Sequence, residues 1–129
     1  MVQLFNPETV AKPFSRYSQG ALVDGHVRWL HISGQVGVRP DGQIEQGFEG
    51  QARRAWANVI AVLEAGGMTR AELVKVNVFL TRAGDVVASR AARDEALKGA
   101  ARASTLLVVA ALAHPDLLIE VEALAARRI

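Results

Sequence analysis

The segment Leu117-Leu118-Ile119-Glu120-Val121-Glu122-Ala123-Leu124, near the C-terminus, alternates in the way that is typical of a β-strand. Successive side chains of a strand point to opposite faces of the sheet, so the odd-numbered residues from 117 to 123, all apolar, share one face. Glu120 and Glu122 share the other face. Because two neighbouring carboxylates are costly to bury without partners, this face is either a solvent-exposed border or the wall of a polar cleft.

The segments before this strand predict its neighbours. Residues 74–80 alternate valine or leucine with lysine, asparagine and phenylalanine, which predicts a strand. Residues 105–112 predict another strand, and its apolar run from 106 to 112 indicates burial on both faces. The turn residues His114-Pro115-Asp116 join that strand to the one at 117–125.

The first third of the chain predicts strands joined by turns. Asp24-Gly25 is a turn pair within residues 17–35, so we expect a β-hairpin there. Pro40-Asp41-Gly42 predicts a second reversal that leads into a short strand near Ile44. Ser33-Gly34-Gln35 ends the second strand of the hairpin, where the residues either expose backbone and a hydroxyl to a ligand or form a strand-end kink.

Two segments have the apolar period of an α-helix. The first begins near Phe48 and ends at Gly66-Gly67, with Gln51 away from its apolar stripe. The second begins with Asp85 as N-cap, includes Val87 among its apolar residues and ends at Gly99. Between the helices, the residues from Thr69 to Glu72 have the spacing of a capping box.

The order of elements is strand, strand, helix, strand, helix, strand, strand. This order predicts one α+β domain over residues 1–129, with a mixed sheet and both helices packed on one of its faces. The other sheet face is left uncovered and still carries apolar groups. We therefore expect the chain to associate with copies of itself.

Composition excludes several classes of function. Half of the residues are hydrophobic and the formal net charge is only +2, with no basic stripe interleaved with aromatic residues, so nucleic-acid binding is not indicated. The chain has no cysteine, which excludes disulfides and thiolate chemistry and is compatible with the cytoplasm, where we expect the protein. No signal-peptide pattern and no apolar run of about 20 residues is present, so no membrane association is expected.

No metal or cofactor is expected either. His26, His31 and His114 have no metal-ligand spacing relative to one another or to the carboxylates. Gly34 and Gly37 lead into no predicted helix, which excludes the glycine-rich phosphate loops of nucleotide sites.

Several short motifs, in this order and at this joint spacing, resemble the YjgF/RidA family, which is also labelled endoribonuclease L-PSP. They are Tyr17-Ser18-Gln19, Ile32-Ser33-Gly34-Gln35-Val36, Asn58-Val59 with Leu63-Glu64-Ala65-Gly66-Gly67, Val74 to Leu80, and Ile119 to Ala125. The resemblance covers nearly the whole chain. It implies a chorismate-mutase-like fold that assembles as a homotrimer, with the sheets forming an inner barrel and three clefts between subunits.

The resemblance also implies a chemistry. Members of the family hydrolyse enamines and imines such as 2-aminoacrylate to 2-keto acids and ammonia. By the family's pattern, Glu120 positions the attacking water, and Tyr17, Ser33 and Gly34 line the cleft that holds the imine, enamine or keto acid. No cofactor is implied.

The carboxylate anchor of the family is displaced in this sequence. In active deaminases an arginine immediately precedes a Ser or Thr at the start of the penultimate strand, because a guanidinium matches a carboxylate with two hydrogen bonds. Here Ala103 precedes Ser104 and Arg102 comes one residue early. A one-residue offset turns a strand side chain to the opposite face. Arg102 can still serve if the chain bulges or is not yet extended there, or if the alignment gap falls differently, and Arg16 is a second candidate.

The sequence therefore leaves several functions open. The first is deaminase-type hydrolysis, or a diverged form of it, in the clefts of the trimer. The second is a non-catalytic trimer that binds a metabolite. RNA cleavage follows from the family label alone, because the sequence offers no pair of histidines, cationic groove or stacking platform for RNA.

Overall fold

The computed structural model describes all 129 residues and has the predicted α+β architecture. The strands are β1 (Val2–Phe5), β2 (Gly20–Val23), β3 (Val27–Val36), β4 (Leu73–Leu80), β5 (Ala103–Val108) and β6 (Ile119–Arg128). The helices are α1 (Gly47–Ala65) and α2 (Val86–Ala96). One short 3₁₀ turn, Arg70–Glu72, lies between α1 and β4, and another, Ala83–Asp85, lies directly before α2. No helix combines the length and the apolar character that a bilayer-spanning segment requires.

The main sheet is mixed and has the strand order β3-β6-β4-β5. Strand β6 is antiparallel to both of its neighbours, and β4 and β5 are parallel. Parallel neighbours need a crossover connection, which α2 supplies between β4 and β5. The strand with the two glutamates therefore lies inside the sheet, between β3 and β4.

The core lies between the inner face of this sheet and α1. Alternate residues of β4 and β6, including Val76, Val78 and Val121, are almost fully buried. They pack with Trp56 and Leu63 of α1 in one hydrophobic cluster. This confirms the predicted alternation in both strands and leaves Glu120 and Glu122 on the outer face, away from the helices.

Helix α1 agrees with its predicted ends but not with one predicted position. It ends before Gly67, which has the left-handed φ of 77° that favours glycine. Gln51, expected away from the apolar stripe, is only 3% exposed. Its amide donates to the carbonyl of Asp116 (2.9 Å) and accepts from the amide of Leu118 (2.8 Å), so these hydrogen bonds offset its burial.

Helix α2 also lies where it was predicted, but its buried face differs. Asp85 occupies the N-cap position, yet its carboxylate pairs with Arg82 (2.8 Å) and makes no cap hydrogen bond. Val87 is exposed, whereas Ser89 and Arg93 are buried. The capping box of Thr69 and Glu72 is confirmed.

The predicted N-terminal hairpin is wrong. The turn at Asp24-Gly25 exists, with Gly25 at a φ of 88°, but β2 pairs with β1 and β3 pairs with β6. The ten-residue β6 offers β3 a partner of equal length, and so more backbone hydrogen bonds than the four-residue β2. The reversal at Pro40-Asp41-Gly42 is confirmed, with Val38 bridged to Ile44.

The expectation for the penultimate strand needs a second correction. It spans Ala103–Val108 instead of residues 105–112, and it is an edge strand with β4 as its partner. Leu107 is 50% exposed in the single chain, so the strand is not buried on both faces. The reason is that no second layer covers the outer face of the sheet in one chain.

Candidate functional site

The polar side chains of the outer sheet face line a cavity of about 380 Å³, called here the sheet cavity. Its polar residues come from three adjacent strands: His31, Ser33, Lys75, Asn77 and Glu122. The Asn77 amide donates to the Glu122 carboxylate (3.0 Å), so Glu122 has a protein partner. Burial lowers the pKa of Lys75 from its ordinary value of 10.5.

A β-bulge shapes one side of this face. Ile32 pairs with Ala123 and Gln35 pairs with Val121, so that two residues, Ser33 and Gly34, face one residue of β6. The strand ends at Val36, one residue after the predicted end at Ser33-Gly34-Gln35, and the irregularity there is a bulge within the strand.

The bulge brings Gly34 against the carboxylate of Glu120. A Cβ atom added to Gly34 would overlap Glu120 Oε2, so a larger residue at this position would displace the carboxylate. Glu120 is partly exposed and forms no hydrogen bond or ion pair with any other side chain of the chain. Of the two glutamates on this face, Glu120 is therefore the one whose carboxylate is free for a water or a ligand.

Tyr17 lies at the far edge of the same sheet. Ser18, its neighbour, bridges to Ala103 at the start of β5. Since β5 and β4 separate this edge from β6, Tyr17 and Glu120 of one chain do not share a cavity. The predicted site residues thus separate: Glu120 lies against Gly34, Ser33 lines the sheet cavity beside Glu122, and Tyr17 lies near the start of β5. Glu120 itself is not among the residues that line the sheet cavity.

Tyr17 lines a second cavity of about 250 Å³, called here the edge cavity. Its other polar residues are two arginines of α2, two hydroxyl residues of β5 and one serine of the N-terminal segment: Arg90, Arg93, Ser104, Thr105 and Ser15. The Thr105 hydroxyl also accepts a hydrogen bond from Lys75 (2.7 Å) on the outer face, whereas Leu106 packs against the core on the helix side, so the edge cavity reaches both faces of the sheet at this edge.

The displaced anchor does not reach Glu120 within the chain. The register of β4 and β5 is unbroken from Lys75–Ala103 to Leu80–Val108, so β5 itself has no bulge, and Arg102 lies just before its first residue. Burial lowers the pKa of Arg102 and the carboxylate of Glu72 partly offsets this effect. Glu72 precedes the start of β4, whereas Glu120 pairs with Phe79 near its end.

Ala103 lies on the outer face beside Lys75 and offers no charge. Arg102 precedes it, and its Nε is buried without a hydrogen-bond acceptor. Arg16, the other candidate, is exposed and lies near Gly99, where an added Cβ atom would be 3.2 Å from its Nη1. Neither predicted candidate therefore lines the sheet cavity or the edge cavity.

A larger groove of about 470 Å³ runs between the two helices and contains none of the predicted site residues. Two arginines, Arg53 and Arg70, and two glutamates, Glu64 and Glu95, line this groove, so its formal charges cancel. No group of three histidine, aspartate or glutamate side chains is arranged to hold a metal ion.

Sequence reasoning missed the arginines of α2 and the polar residues of β4. Lys75 and Asn77 carry a signal, since they alternate with buried valines, but only the strand order places them beside Glu122. Arg90 and Arg93 have the three-residue spacing that puts helix side chains on one face. Their meeting with Tyr17 depends on how α2 packs against the sheet edge, which periodicity does not specify.

The comparisons with known proteins all indicate the same family. The family model described as Endoribonuclease L-PSP matches residues 8–127. A RutC family protein of Pyrococcus horikoshii is 32% identical over 127 residues, which are 97% of this chain and 98% of that protein. A goat (Capra hircus) protein named 2-iminobutanoate/2-iminopropanoate deaminase is 33% identical over 111 residues, covering 84% of this chain and 78% of the relative.

A solved structure has the same fold over the full length. The Rid-family protein YyfB of Yersinia pestis, described as a protein of unknown function, superposes with a TM-score of 0.85 at 31% identity. The superposition covers 98% of each chain.

Proposed function

Because the chain belongs to the endoribonuclease L-PSP family, also called YjgF/RidA, we propose that it hydrolyses small enamines and imines in clefts between the subunits of a homotrimer. The relatives named 2-iminobutanoate/2-iminopropanoate deaminase support this reaction class. The substrates would be 2-aminoacrylate-like acids and their imine tautomers. The products would be 2-keto acids and ammonia.

The observation that carries the proposal is the carboxylate of Glu120, which lies against Gly34 in the bulge without a protein partner. A carboxylate that no protein donor occupies can accept a proton from a bound water. The exposed hydroxyl of Ser33, in the same bulge, is a second group for positioning that water or the substrate.

The reaction balances with these groups alone. An enamine first moves a proton to its terminal carbon and becomes the imine. Water then adds to the imine carbon as Glu120 takes one of its protons, and the same proton passes to the nitrogen. The carbinolamine then collapses: its hydroxyl proton passes to the amino group, the carbon–nitrogen bond breaks, and ammonia leaves as the carbonyl of the keto acid forms.

The placement of Tyr17 supports the trimer in this proposal. Tyr17 and Glu120 are at different parts of one sheet, so a cleft with both requires a second copy. The uncovered outer face, where Trp29 is 49% exposed, provides apolar surface for such an assembly. In the proposed cleft, Tyr17 of one copy would face Glu120 of the next.

The test couples the protein to a dehydratase that releases 2-aminoacrylate and measures the rate of pyruvate formation. Glu120→Gln keeps the shape of the side chain but removes the base, so we expect the rate to fall by about 10²- to 10⁴-fold. Glu122→Gln is the matched control, because Glu122 lies on the same strand and face but already accepts from Asn77. Absence of acceleration by the wild type, over a range of imines, would contradict the proposal.

A second candidate is a non-catalytic trimer that binds a metabolite. The position of Arg102, near Glu72 and away from Glu120, favours it because the family's anchor for a substrate carboxylate is not in its usual place. Ligand-induced thermal stabilisation by 2-keto acids, without turnover of any imine, would support this candidate. Turnover that depends on Glu120 would exclude it.

A further inference from the structure

We infer that Arg90 of α2, in the edge cavity, binds the carboxylate of the substrate in place of the strand arginine that Arg102 does not supply. This inference rests on the proposed function, because it names the anchor for the substrates of that site. In this arrangement Arg90 binds the substrate carboxylate, and Glu120 of a neighbouring copy positions the attacking water.

The edge cavity has the composition of an anion site. Arg90 and Arg93 line it together with the phenol of Tyr17 and the hydroxyl of Ser104. No aspartate or glutamate lines it. Two cations and several hydroxyl donors around a small cavity therefore favour a compact organic anion.

The two arginines have different roles. The side chain of Arg93 is only 7% exposed and is already paired, donating to Asp94 (3.0 Å) and to the Ser15 hydroxyl (3.3 Å). Asp94 therefore neutralises much of its charge. We assign Arg93 to holding the cavity wall and the N-terminal segment in place.

Arg90 is the unpaired cation of the cavity. It lies one turn before Arg93 on the same face of α2, is partly buried, and has no carboxylate within 4.0 Å. Its side chain makes no hydrogen bond within the chain, so the guanidinium keeps its donors for a ligand. A planar guanidinium can hold a carboxylate with two parallel hydrogen bonds.

The size of the cavity sets the substrate class. A volume of about 250 Å³ admits an acid of three or four carbons, and Leu106 provides an apolar wall for a short side chain. Tyr17, in the same cavity, can donate to the second carboxylate oxygen or to the keto oxygen of the product. The edge cavity is therefore large enough for the acids of the proposed reaction to bind with their carboxylate at Arg90.

The test measures binding of pyruvate, as a stable 2-keto acid, by isothermal titration calorimetry to the full-length protein. Loss of one charge-assisted pair predicts that Arg90→Gln weakens pyruvate binding about ten- to hundredfold. Binding of pyruvamide, which has no carboxylate charge, should change little, whereas general damage to the cavity would weaken both ligands. Arg90→Lys should recover part of the affinity for pyruvate, and circular dichroism with a thermal melt checks that each variant folds.

Arg102→Gln is the discriminating variant, and Arg53→Gln is the matched control for loss of an exposed cation, because Arg53 lies in the groove between the helices, away from the edge cavity. Weaker binding with Arg102→Gln and unchanged binding with Arg90→Gln would overturn the inference. So would equal losses of pyruvate and pyruvamide affinity in Arg90→Gln.

Turnover separates this inference from the proposed function. If the wild type binds pyruvate through Arg90 but hydrolyses no imine, the inference holds and the deaminase proposal fails. If the wild type hydrolyses imines and Arg90→Gln leaves KM unchanged, the proposal holds and the inference fails. Where both hold, Arg90→Gln raises KM more than it lowers kcat, and Glu120→Gln lowers kcat with little change in pyruvate binding.

Discussion

Glu120 and Glu122 are separated by one residue and lie on the same face of the same strand, yet their surroundings differ. Asn77 donates to Glu122, whereas Glu120 has no protein donor and lies against a glycine. The difference arises from neighbouring strands: β4 provides the amide that donates to Glu122, and the bulge of β3 places a glycine against Glu120. Residue identity alone therefore does not decide which of the two carboxylates is available for chemistry.

Gly34→Ala tests this arrangement at the scale of one methyl group. The new Cβ atom would overlap Glu120 Oε2, which sits at the end of a flexible side chain, so the carboxylate should move while the fold remains. We expect a loss of deaminase rate approaching that of Glu120→Gln, with a melting temperature close to that of the wild type. Gly84→Ala is the control, since an added Cβ atom there has no neighbour within 4 Å. A fully active Gly34→Ala variant would show that the position of this carboxylate is not critical.

At the scale of elements, helix α1 fixes the end of β3 and so the position of the bulge. The Asn58 amide donates to the carbonyls of Val36 (3.1 Å) and Val38 (3.0 Å) on either side of Gly37. A Cβ atom added to Gly37 would lie 2.6 Å from the Cα atom of Gln51, which is backbone of the helix. The strand and the helix therefore meet at a distance that only glycine permits.

Gly37→Ala should affect the stability of the fold and not the chemistry at Glu120. Because the obstructing atom belongs to the helix backbone, relief requires α1 to shift, and we expect the free energy of unfolding to fall by about 1–3 kcal/mol. Urea denaturation of Gly37→Ala beside Gly34→Ala provides the comparison, since the second clash is with a mobile side chain. Equal midpoints for the two variants would contradict the distinction between backbone and side-chain obstruction.

The elements themselves were mostly predictable because their signals are local. The alternation at residues 74–80, the helical period that ends before Gly67 and the capping box at Thr69 all depend on residues within a few positions of one another. The hairpin failed because a turn pair predicts a reversal and not the partner of each strand.

At the scale of the whole molecule, the sheet has one covered and one open face. Leu107, on the open face beside Phe79, is 50% exposed, and Trp29 at the other edge is 49% exposed. Apolar side chains at both edges of one face are typical of an interface between copies. The proposed clefts depend on such an interface, because one chain does not bring Tyr17 to Glu120.

Leu107→Glu should prevent the proposed trimer from forming. A charge on the open face would be desolvated in the interface, so we expect the species at three times the 13.8 kDa chain mass to be replaced by smaller ones. Light scattering after size-exclusion chromatography measures the mass. Val87→Glu is the matched control, because Val87 is an exposed apolar residue on the helical side. A wild type that runs as a single chain would contradict the trimer, and an unchanged mass for Leu107→Glu would exclude this face as the interface.

The sequence by itself determined the α+β class, the two helices, the inner and outer faces of β4 and β6, and the presence of two carboxylates on the outer face. These features follow from short-range periodicity and turn chemistry, which each segment carries within itself. Only the tertiary structure decided that β3 pairs with β6, that Gly34 lies against Glu120, and that Arg90, not Arg102, lines the cavity of Tyr17. Those contacts join residues far apart in the chain, and their geometry depends on strand order, one bulge and the packing of α2, none of which has a local signature.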